Sequence, residues 1–203
     1  MIQALVFDWH GVLDRRTFRH LIQHFAEAVC ERRESSDTEE CVRQTFRRYV
    51  ELGNKLSAAE ITPVEFWAQC AEDVGELRVT WGREYFLTVE KNDPLWALFP
   101  GLKQRYRLIV LSDCPQDKLD IIKGSVDLRV TFDASFFSCE YKMNKTESKF
   151  FKVMLSKTGL EASRCFFIDD QEKNLKIPYE LGFKVQHYTG DNAFLHQYLG
   201  NTT

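Results

Sequence analysis

The chain opens with a short apolar run that stops at an acidic residue and a glycine. Residues 4–7 read Ala-Leu-Val-Phe, Asp8 follows directly, and Gly11 comes three positions later. An uninterrupted apolar run of this length is typical of a strand buried on both faces of a parallel sheet. Because open α/β sheets bind ligands at the carboxyl ends of their strands, Asp8 is predicted to lie at a functional edge. A carboxylate there can serve as a nucleophile, as a metal ligand, or as both.

Two later apolar runs end in the same way. Residues 108–111 are followed by Ser112 and Asp113, and residues 165–168 are followed by Asp169-Asp170. A single Asp after a strand is often a helix N-cap, so each element alone carries little weight. Two consecutive Asp residues are more than one cap needs.

Further short apolar runs at 134–137 and 183–185 alternate with helical patterns, such as the helix around Phe150 that Gly159 is predicted to stop. Strands that alternate with helices predict a parallel sheet covered by helices on both faces. We therefore expect an α/β protein with a Rossmann-like three-layer α/β/α core. All strand ends then share one edge, where polar residues far apart in sequence converge.

Between residues 17 and 85 the apolar residues recur at helical spacing and no strand pattern interrupts them. Thr62, Pro63 and Glu65 predict a capped helix start. This stretch is expected to be a small all-helical cap domain at residues 16–93, with its aromatic residues forming its own core. Residues 1–15 and 94–203 are then expected to form the α/β core domain.

Composition limits the partners. The chain has 203 residues, 44% of them hydrophobic, a net charge of -3 and a pI near 6.0. A real hydrophobic core is expected, and the absence of a basic excess speaks against nucleic acid and anionic membranes as partners. No apolar stretch approaches the ~18 residues of a membrane span and the first residues lack a signal-peptide pattern, so a cytoplasmic location is expected. The oligomeric state is left open.

The six cysteines are scattered, with no Cys-x-x-Cys pair and no clustered histidine. Neither a zinc site nor a disulfide framework is therefore expected. The base rate for free cysteines predicts small, buried or half-buried thiols.

The predicted strand edge collects several carboxylates, which repel one another unless a cation joins them. Oxygen ligands with at least two carboxylates suit Mg²⁺. Lys142 or Lys145, just ahead of the helix around Phe150, is a candidate for a positive charge at the same place.

In their order along the chain, these segments resemble the four motifs of the haloacid dehalogenase (HAD) superfamily of hydrolases. The first motif, Asp-x-Asp-Gly-x-Leu, is matched by residues 8–13 except at His10. Ser112 matches the Ser or Thr of the second motif, and Lys145 matches the third, with Thr146 where Pro is usual. The fourth is matched by Phe167-Ile168-Asp169-Asp170 with Asn174 and Gly182. The helical stretch sits where the family inserts its cap, so the resemblance covers the whole chain.

The resemblance implies a Mg²⁺-dependent phosphatase that acts on a small phosphorylated metabolite chosen by the cap. Asp8 would attack phosphorus and form an aspartyl-phosphate. The metal ligands would be Asp8, Asp169, Asp170 and the backbone carbonyl of His10. Ser112 and Lys145 would hold the phosphoryl oxygens, and Asp113 would belong to the same substrate-binding set. Asp113 stands where Asn is frequent, so its charge must point away from the phosphate or be paired.

His10 departs from the family pattern, because the phosphatases have their acid/base Asp at this position. Imidazole, with a usual pKa near 6.5, can exchange protons at neutral pH, which makes His10 a candidate general acid and base. The alternative is a carbon-halogen or carbon-phosphorus hydrolase, since those relatives also lack the second Asp. The latter enzymes need a cap lysine, for which Lys55 is the candidate. A third possibility is a non-catalytic ligand-binding or regulatory relative.

Overall fold

The structure is a computed structural model that describes residues 1–34 and 37–199. Its centre is a five-stranded, all-parallel sheet with the order β3-β2-β1-β4-β5. The strands are β1 (Ala4–Phe7), β2 (Arg107–Ser112), β3 (Ala134–Phe137), β4 (Cys165–Asp169) and β5 (Lys184–His187). The five predicted runs all form strands. The last begins one residue late because Phe183 turns into the core behind Gly182.

Helices cover both faces of the sheet, as the sequence predicts. In β1 the residues alternate between two apolar clusters: Leu5 and Phe7 belong to one, and Ala4 and Val6 to the other. The helices of this layered part are α5 (Asp93–Trp96), α6 (Phe99–Lys103), α7 (Gln116–Ser125), α8 (Leu128–Thr131), α9 (Ser138–Tyr141), α10 (Ser148–Thr158), α11 (Lys176–Glu180) and α12 (Ala193–Leu199). Of all the helices described, none has the length and apolar character needed to span a membrane.

Four further helices, inserted between β1 and α5, pack around an apolar cluster of their own. They are α1 (Phe18–Arg32), α2 (Thr38–Ser57), α3 (Pro63–Val74) and α4 (Glu76–Phe86). The predicted capping box starts α3: the Glu65 amide donates to Thr62 Oγ1 at 3.2 Å, and the Thr62 amide donates to Glu65 Oε2 at 2.8 Å. Helix α10 ends at Gly159, which adopts a left-handed conformation with φ 67°.

The chain passes between the four-helix insert and the rest of the protein at two places, near Asp14 and near Thr88, which we call the two chain crossings. A fully buried ion pair joins them. The Lys118 ammonium donates to Asp14 Oδ2 at 2.8 Å, and neither side chain is exposed to solvent. Lys118 also donates to the backbone carbonyls of Phe86 at 2.9 Å and of Thr88. The second oxygen of Asp14 accepts the amide of Glu90 at 3.0 Å. Through its bonds to Asp14, Phe86 and Thr88, Lys118 therefore links both crossings to helix α7.

The expectation of unpaired cysteines is wrong for two of the six. Cys30 on α1 and Cys41 on α2 form a disulfide, with their Cα atoms 5.9 Å apart. The antiparallel packing of the two helices brings these residues together, which no local cysteine motif signals. The remaining four cysteines are free and buried, as expected: Cys70, Cys114, Cys139 and Cys165.

Candidate active site

The predicted polar residues lie at the carboxyl ends of three adjacent strands, along one edge of the sheet. β1 lies between β2 and β4, so Asp8, Ser112 and Asp169 follow or end neighbouring strands. The Asp8 amide donates to the Ile168 carbonyl at 2.9 Å, which continues the ladder to the point where the acids begin. The carboxylates converge because the strands are parallel and in register.

Lys145 is the cation that joins these acids. Its ammonium lies 2.7 Å from Asp8 Oδ2 and 2.6 Å from Asp169 Oδ2, and its side chain is buried. Burial acts to lower the pKa of Lys145, but the attraction of Asp169, Asp8 and Asp113 outweighs it and raises that pKa above the usual value. Lys145 therefore carries a positive charge in the site. The other candidate, Lys142, is exposed and in a left-handed conformation.

Asp169 is held by donors on both oxygens. Oδ1 accepts the amide of Gln171 at 2.8 Å, and the Asn174 amide group donates to Oδ1 at 3.0 Å and to Oδ2 at 3.2 Å. Lys145 donates to Oδ2 as well. These bonds fix the orientation of the carboxylate and, through Lys145, the position of Asp8.

Asp170 has a different environment. Its Oδ1 is buried and has no hydrogen-bond partner within the described part of the chain. Burial, with Asp169 nearby, raises the pKa of Asp170 to about 6. Gly11, with φ 76°, lets Asp170 approach, because a Cβ there would lie 2.3 Å from Asp170 Oδ2. The Asp170 carbonyl contacts His187 Nε2 at 3.0 Å.

Asp8, Asp169 and Asp170 each offer an oxygen atom, and these atoms lie within 4.8 Å of one another. Burial is the main cause that raises the pKa of Asp8; Asp169 and Asp170 act in the same direction and Lys145 opposes them. A buried all-oxygen donor set with an unpartnered carboxylate oxygen suits a hard divalent cation. These residues therefore fit the metal that the sequence predicts.

His10 is buried at the junction between the strand edge and the helical insert. Its ring stacks on Phe86, at the end of α4, with 5.3 Å between the centroids and 19° between the planes. Its Nε2 atom has no hydrogen-bond partner within the described residues. Burial, followed by the charges of Lys118 and Lys145, lowers the pKa of His10 well below the usual value. The ring is therefore neutral in this environment.

Ser112 and Asp113 lie beside the acids. Ser112 is fully buried, and its hydroxyl makes one long contact of 3.4 Å to the Asp113 carbonyl. Asp113 Oδ1 accepts the backbone amide of Lys145 at 2.9 Å. Burial raises the pKa of Asp113, and Lys145 opposes the shift. The Asp113 carboxylate therefore accepts the backbone N–H of Lys145 and is attracted by the Lys145 ammonium.

A cavity of about 130 Å³ connects this edge to the helical insert. Asp8, His10, Asp113, Lys145 and Asp170 line one side. The other side, which sequence reasoning missed, comes from the insert: Thr17, Phe18, Arg19, Ile22, Phe46, Val50, Gly53, Asn54, Ser57 and Phe86. Assigning the aromatic residues of the insert only to its own core was therefore incomplete. The signal that was available is the spacing 46, 50, 53 and 57, which marks one face of α2.

Solved structures of other proteins are similar to this chain, whereas comparisons of its sequence find no match. No family sequence model matches the chain, and no curated protein matches it. The HAD family enzyme bt-2542 from Bacteroides thetaiotaomicron, solved in complex with magnesium and inorganic phosphate, is similar with a TM-score of 0.70 and 21% identity over 97% of this chain and 99% of that one. A predicted HAD-like family hydrolase from Porphyromonas gingivalis is similar with a TM-score of 0.72 and 23% identity over 99% of both chains.

A haloacid dehalogenase is a more distant structural neighbour. The L-2-haloacid dehalogenase from Xanthobacter autotrophicus has a TM-score of 0.59 and 17% identity, over 91% of this chain and 76% of that one. These likenesses agree with the sheet order and with the helical insertion after β1. The chain therefore has the haloacid dehalogenase fold.

Proposed function

We propose that this protein is a Mg²⁺-dependent phosphatase that hydrolyses a small phosphorylated metabolite through an aspartyl-phosphate on Asp8. One observation carries the proposal: Asp8 lies on the wall of a cavity, bonded to a charged lysine, with the unpartnered oxygen of Asp170 nearby. Nucleophile, cation and metal ligand thus meet where a phosphate ester can enter. The magnesium and phosphate bound by bt-2542 support the same chemistry on this fold.

Asp8, Asp170, the His10 backbone carbonyl and Asp169 would hold the metal, which when bound neutralises charge on the phosphoryl oxygens. Because both oxygens of Asp169 already accept hydrogen bonds, we infer that the main role of Asp169 is to orient Lys145. Asp8 would attack phosphorus as the bond to the alcohol oxygen breaks, and Lys145, which lines the cavity, would contact the phosphoryl oxygens. Ser112 is fully buried and does not line the cavity, so its hydroxyl would have to turn towards the phosphoryl group to bind it. Water then cleaves the acyl phosphate, which releases phosphate and restores the Asp8 carboxylate.

His10 is the proposed proton-exchange group. His10, neutral in the free site, would take up one proton from solvent when the anionic ester binds and give it to the leaving alcohol; it would then accept one proton from the attacking water in the second step, so one proton is given and one taken in each turnover. The unpartnered Nε2 of His10 lies at the wall of the same cavity, which makes it the group for these transfers. Such acid/base assistance is typically worth 10²- to 10⁴-fold in rate.

The four helices α1–α4 are proposed to be the cap domain that selects the metabolite. They supply the wall of the cavity opposite Asp8, and Ser138 Oγ donates to the Ser57 carbonyl at 2.6 Å, which joins the end of α2 to the strand edge. Trp67 Nε1 on α3 donates to Asp117 Oδ2 at 2.8 Å, a second contact of this kind. The insert is thus closed over the site.

Phosphate release from a panel of phosphate monoesters, with and without Mg²⁺, tests the proposal. Asp8→Asn removes the nucleophile with little change of shape, and Asp120→Asn, at an exposed position on α7, is the matched control. We expect Mg²⁺-dependent release by the wild type and by Asp120→Asn, and none by Asp8→Asn. Release by Asp8→Asn at the wild-type rate, or no release from any ester by the wild type, would refute the phosphatase.

The second candidate is a carbon-halogen hydrolase, because His10 leaves the first motif without its second acid and a haloacid dehalogenase shares the fold. Halide release from 2-haloacids distinguishes the two activities. A carbon-phosphorus hydrolase using Lys55 is disfavoured, since Lys55 is exposed on α2 and does not line the cavity.

A further inference from the structure

We infer that the substrate is a compact phosphomonoester whose alcohol has an apolar, aromatic or branched aliphatic body, and not a sugar or another polyol. This inference deepens the proposed phosphatase function and rests on it for the position of the phosphoryl group. It is drawn from the cap side of the cavity, where the alcohol must lie once phosphorus is placed against Asp8.

The size of the cavity limits the alcohol. At about 130 Å³ it is smaller than the ~300–1,000 Å³ of pockets that bind drug-sized ligands. The phosphoryl group occupies part of this space beside Asp8 and Lys145. Because the cavity opens to solvent on one side, this limit applies to the part of the alcohol inside it, which is about as large as a single ring.

The cap side of that space carries a continuous group of five apolar side chains beside its polar residues. Phe18 and Ile22 lie one helical turn apart on α1, Phe46 and Val50 lie one turn apart on α2, and Phe86 closes the end of α4; all five line the cavity. An apolar body gains by leaving water for such a surface. Each hydroxyl group of a polyol placed against these five side chains loses its water without a partner and costs affinity, and among the described cap residues only Thr17, Asn54 and Ser57 beside them offer neutral hydrogen-bonding side chains.

The aromatic wall is built into the packing of the cap. The ring centroids of Phe18 and Phe86 are 5.3 Å apart, and those of Phe18 and Phe66 are 5.8 Å apart. Gly53 makes room for this arrangement, because a Cβ there would lie 2.2 Å from Phe18 Cε1. The apolar wall is therefore preformed, which lowers the entropic cost of binding an apolar group.

Equilibrium binding of two non-hydrolysable phosphonates tests the inference without relying on turnover. Isothermal titration with Mg²⁺ present compares benzylphosphonate with 3,4-dihydroxybutylphosphonate. We expect benzylphosphonate to bind the wild type roughly tenfold or more tightly, given the apolar area that a ring buries. Equal affinity, a preference for the diol, or no binding of benzylphosphonate would overturn the inference.

Val50→Asn provides the variant, because Val50 is half-buried and lines the cavity from α2. Its amide should reduce the benzyl-to-diol affinity ratio by about fivefold or more. Val64→Asn, at a position 75% exposed on α3, is the matched control and should leave the ratio unchanged. An unchanged ratio in a folded Val50→Asn protein would contradict the proposed wall.

Phosphate release from benzyl phosphate and glycerol phosphate separates this inference from the function on which it rests. Selective phosphonate binding without hydrolysis of any ester would refute the phosphatase and retain the apolar selectivity. Mg²⁺-dependent hydrolysis of both esters with equal kcat/KM would retain the phosphatase and refute the selectivity.

Discussion

Replacing Lys118 by Met should strongly destabilise the protein. The side chain is fully buried and makes three bonds, to Asp14 Oδ2 and to the carbonyls of Phe86 and Thr88. Methionine keeps most of the volume but leaves the Asp14 carboxylate buried with an unpaired charge. Breaking a buried pair in this way typically costs 3–5 kcal/mol, or roughly 6–20 °C in Tm for a chain of this length.

Lys123→Met is the matched control on the same helix. Lys123 donates to Glu140 Oε1 at 2.8 Å, but both side chains are substantially exposed. An exposed ion pair contributes about 0–1 kcal/mol, so this variant should stay within a few degrees of the wild-type Tm. Denaturant unfolding and calorimetry of both variants provide the comparison.

The double variant Asp14→Asn with Lys118→Met isolates the unpaired charge. Because no buried carboxylate remains, it should be more stable than Lys118→Met alone by at least about 1 kcal/mol. Equal losses for Lys118→Met and Lys123→Met, or a double variant less stable than Lys118→Met, would refute this account of the two chain crossings.

Three further predictions concern the cap and the metal. Gly53→Ala should cost about 1–3 kcal/mol in the free energy of unfolding and weaken benzylphosphonate binding, because the new methyl group displaces Phe18; titration and denaturant unfolding measure the two effects. Thr62→Ala removes the capping box of α3 and should cost about 0.5–2 kcal/mol, whereas the exposed Thr80→Ala on α4 should cost less in the same denaturation assay. Mg²⁺ at a hundredfold excess over its Kd should stabilise the wild type by about 2.7 kcal/mol in thermal unfolding and stabilise Asp170→Asn less.

The parts of the fold that depend on local pattern were predictable from sequence. The apolar run at residues 4–7, the capping box at Thr62 and the stop at Gly159 each follow from interactions within a few residues. The meeting of Asp8 with Asp169 was predictable as well, since parallel strands place their carboxyl ends together whatever the length of chain between them.

What was not predictable depends on how helices pack. Lys118 and Asp14 are 104 positions apart, and nothing in the helical pattern around Lys118 marks this lysine as buried. The Cys30–Cys41 disulfide likewise requires the antiparallel pairing of α1 and α2. The cavity wall depends on which side of α2 faces the sheet edge, so Phe46 could be assigned to the cap interior from its spacing alone.

His10 is part of the cap closure as well as a candidate proton-exchange group. Its ring stacks on Phe86, and the Lys118 ammonium lies 5.2 Å from the centroid of that same Phe86 ring. A carboxylate at position 10 is too small to cover the Phe86 ring, and its negative charge would be buried against the negative face of that ring, which is costly. The departure at His10 and the aromatic end of α4 therefore belong together. Because His10→Asp matches the family motif but removes the stack, we expect it to lower phosphate release, and we expect Phe86→Asn in the same protein to recover part of that loss; a His10→Asp single variant as active as the wild type would contradict this pairing.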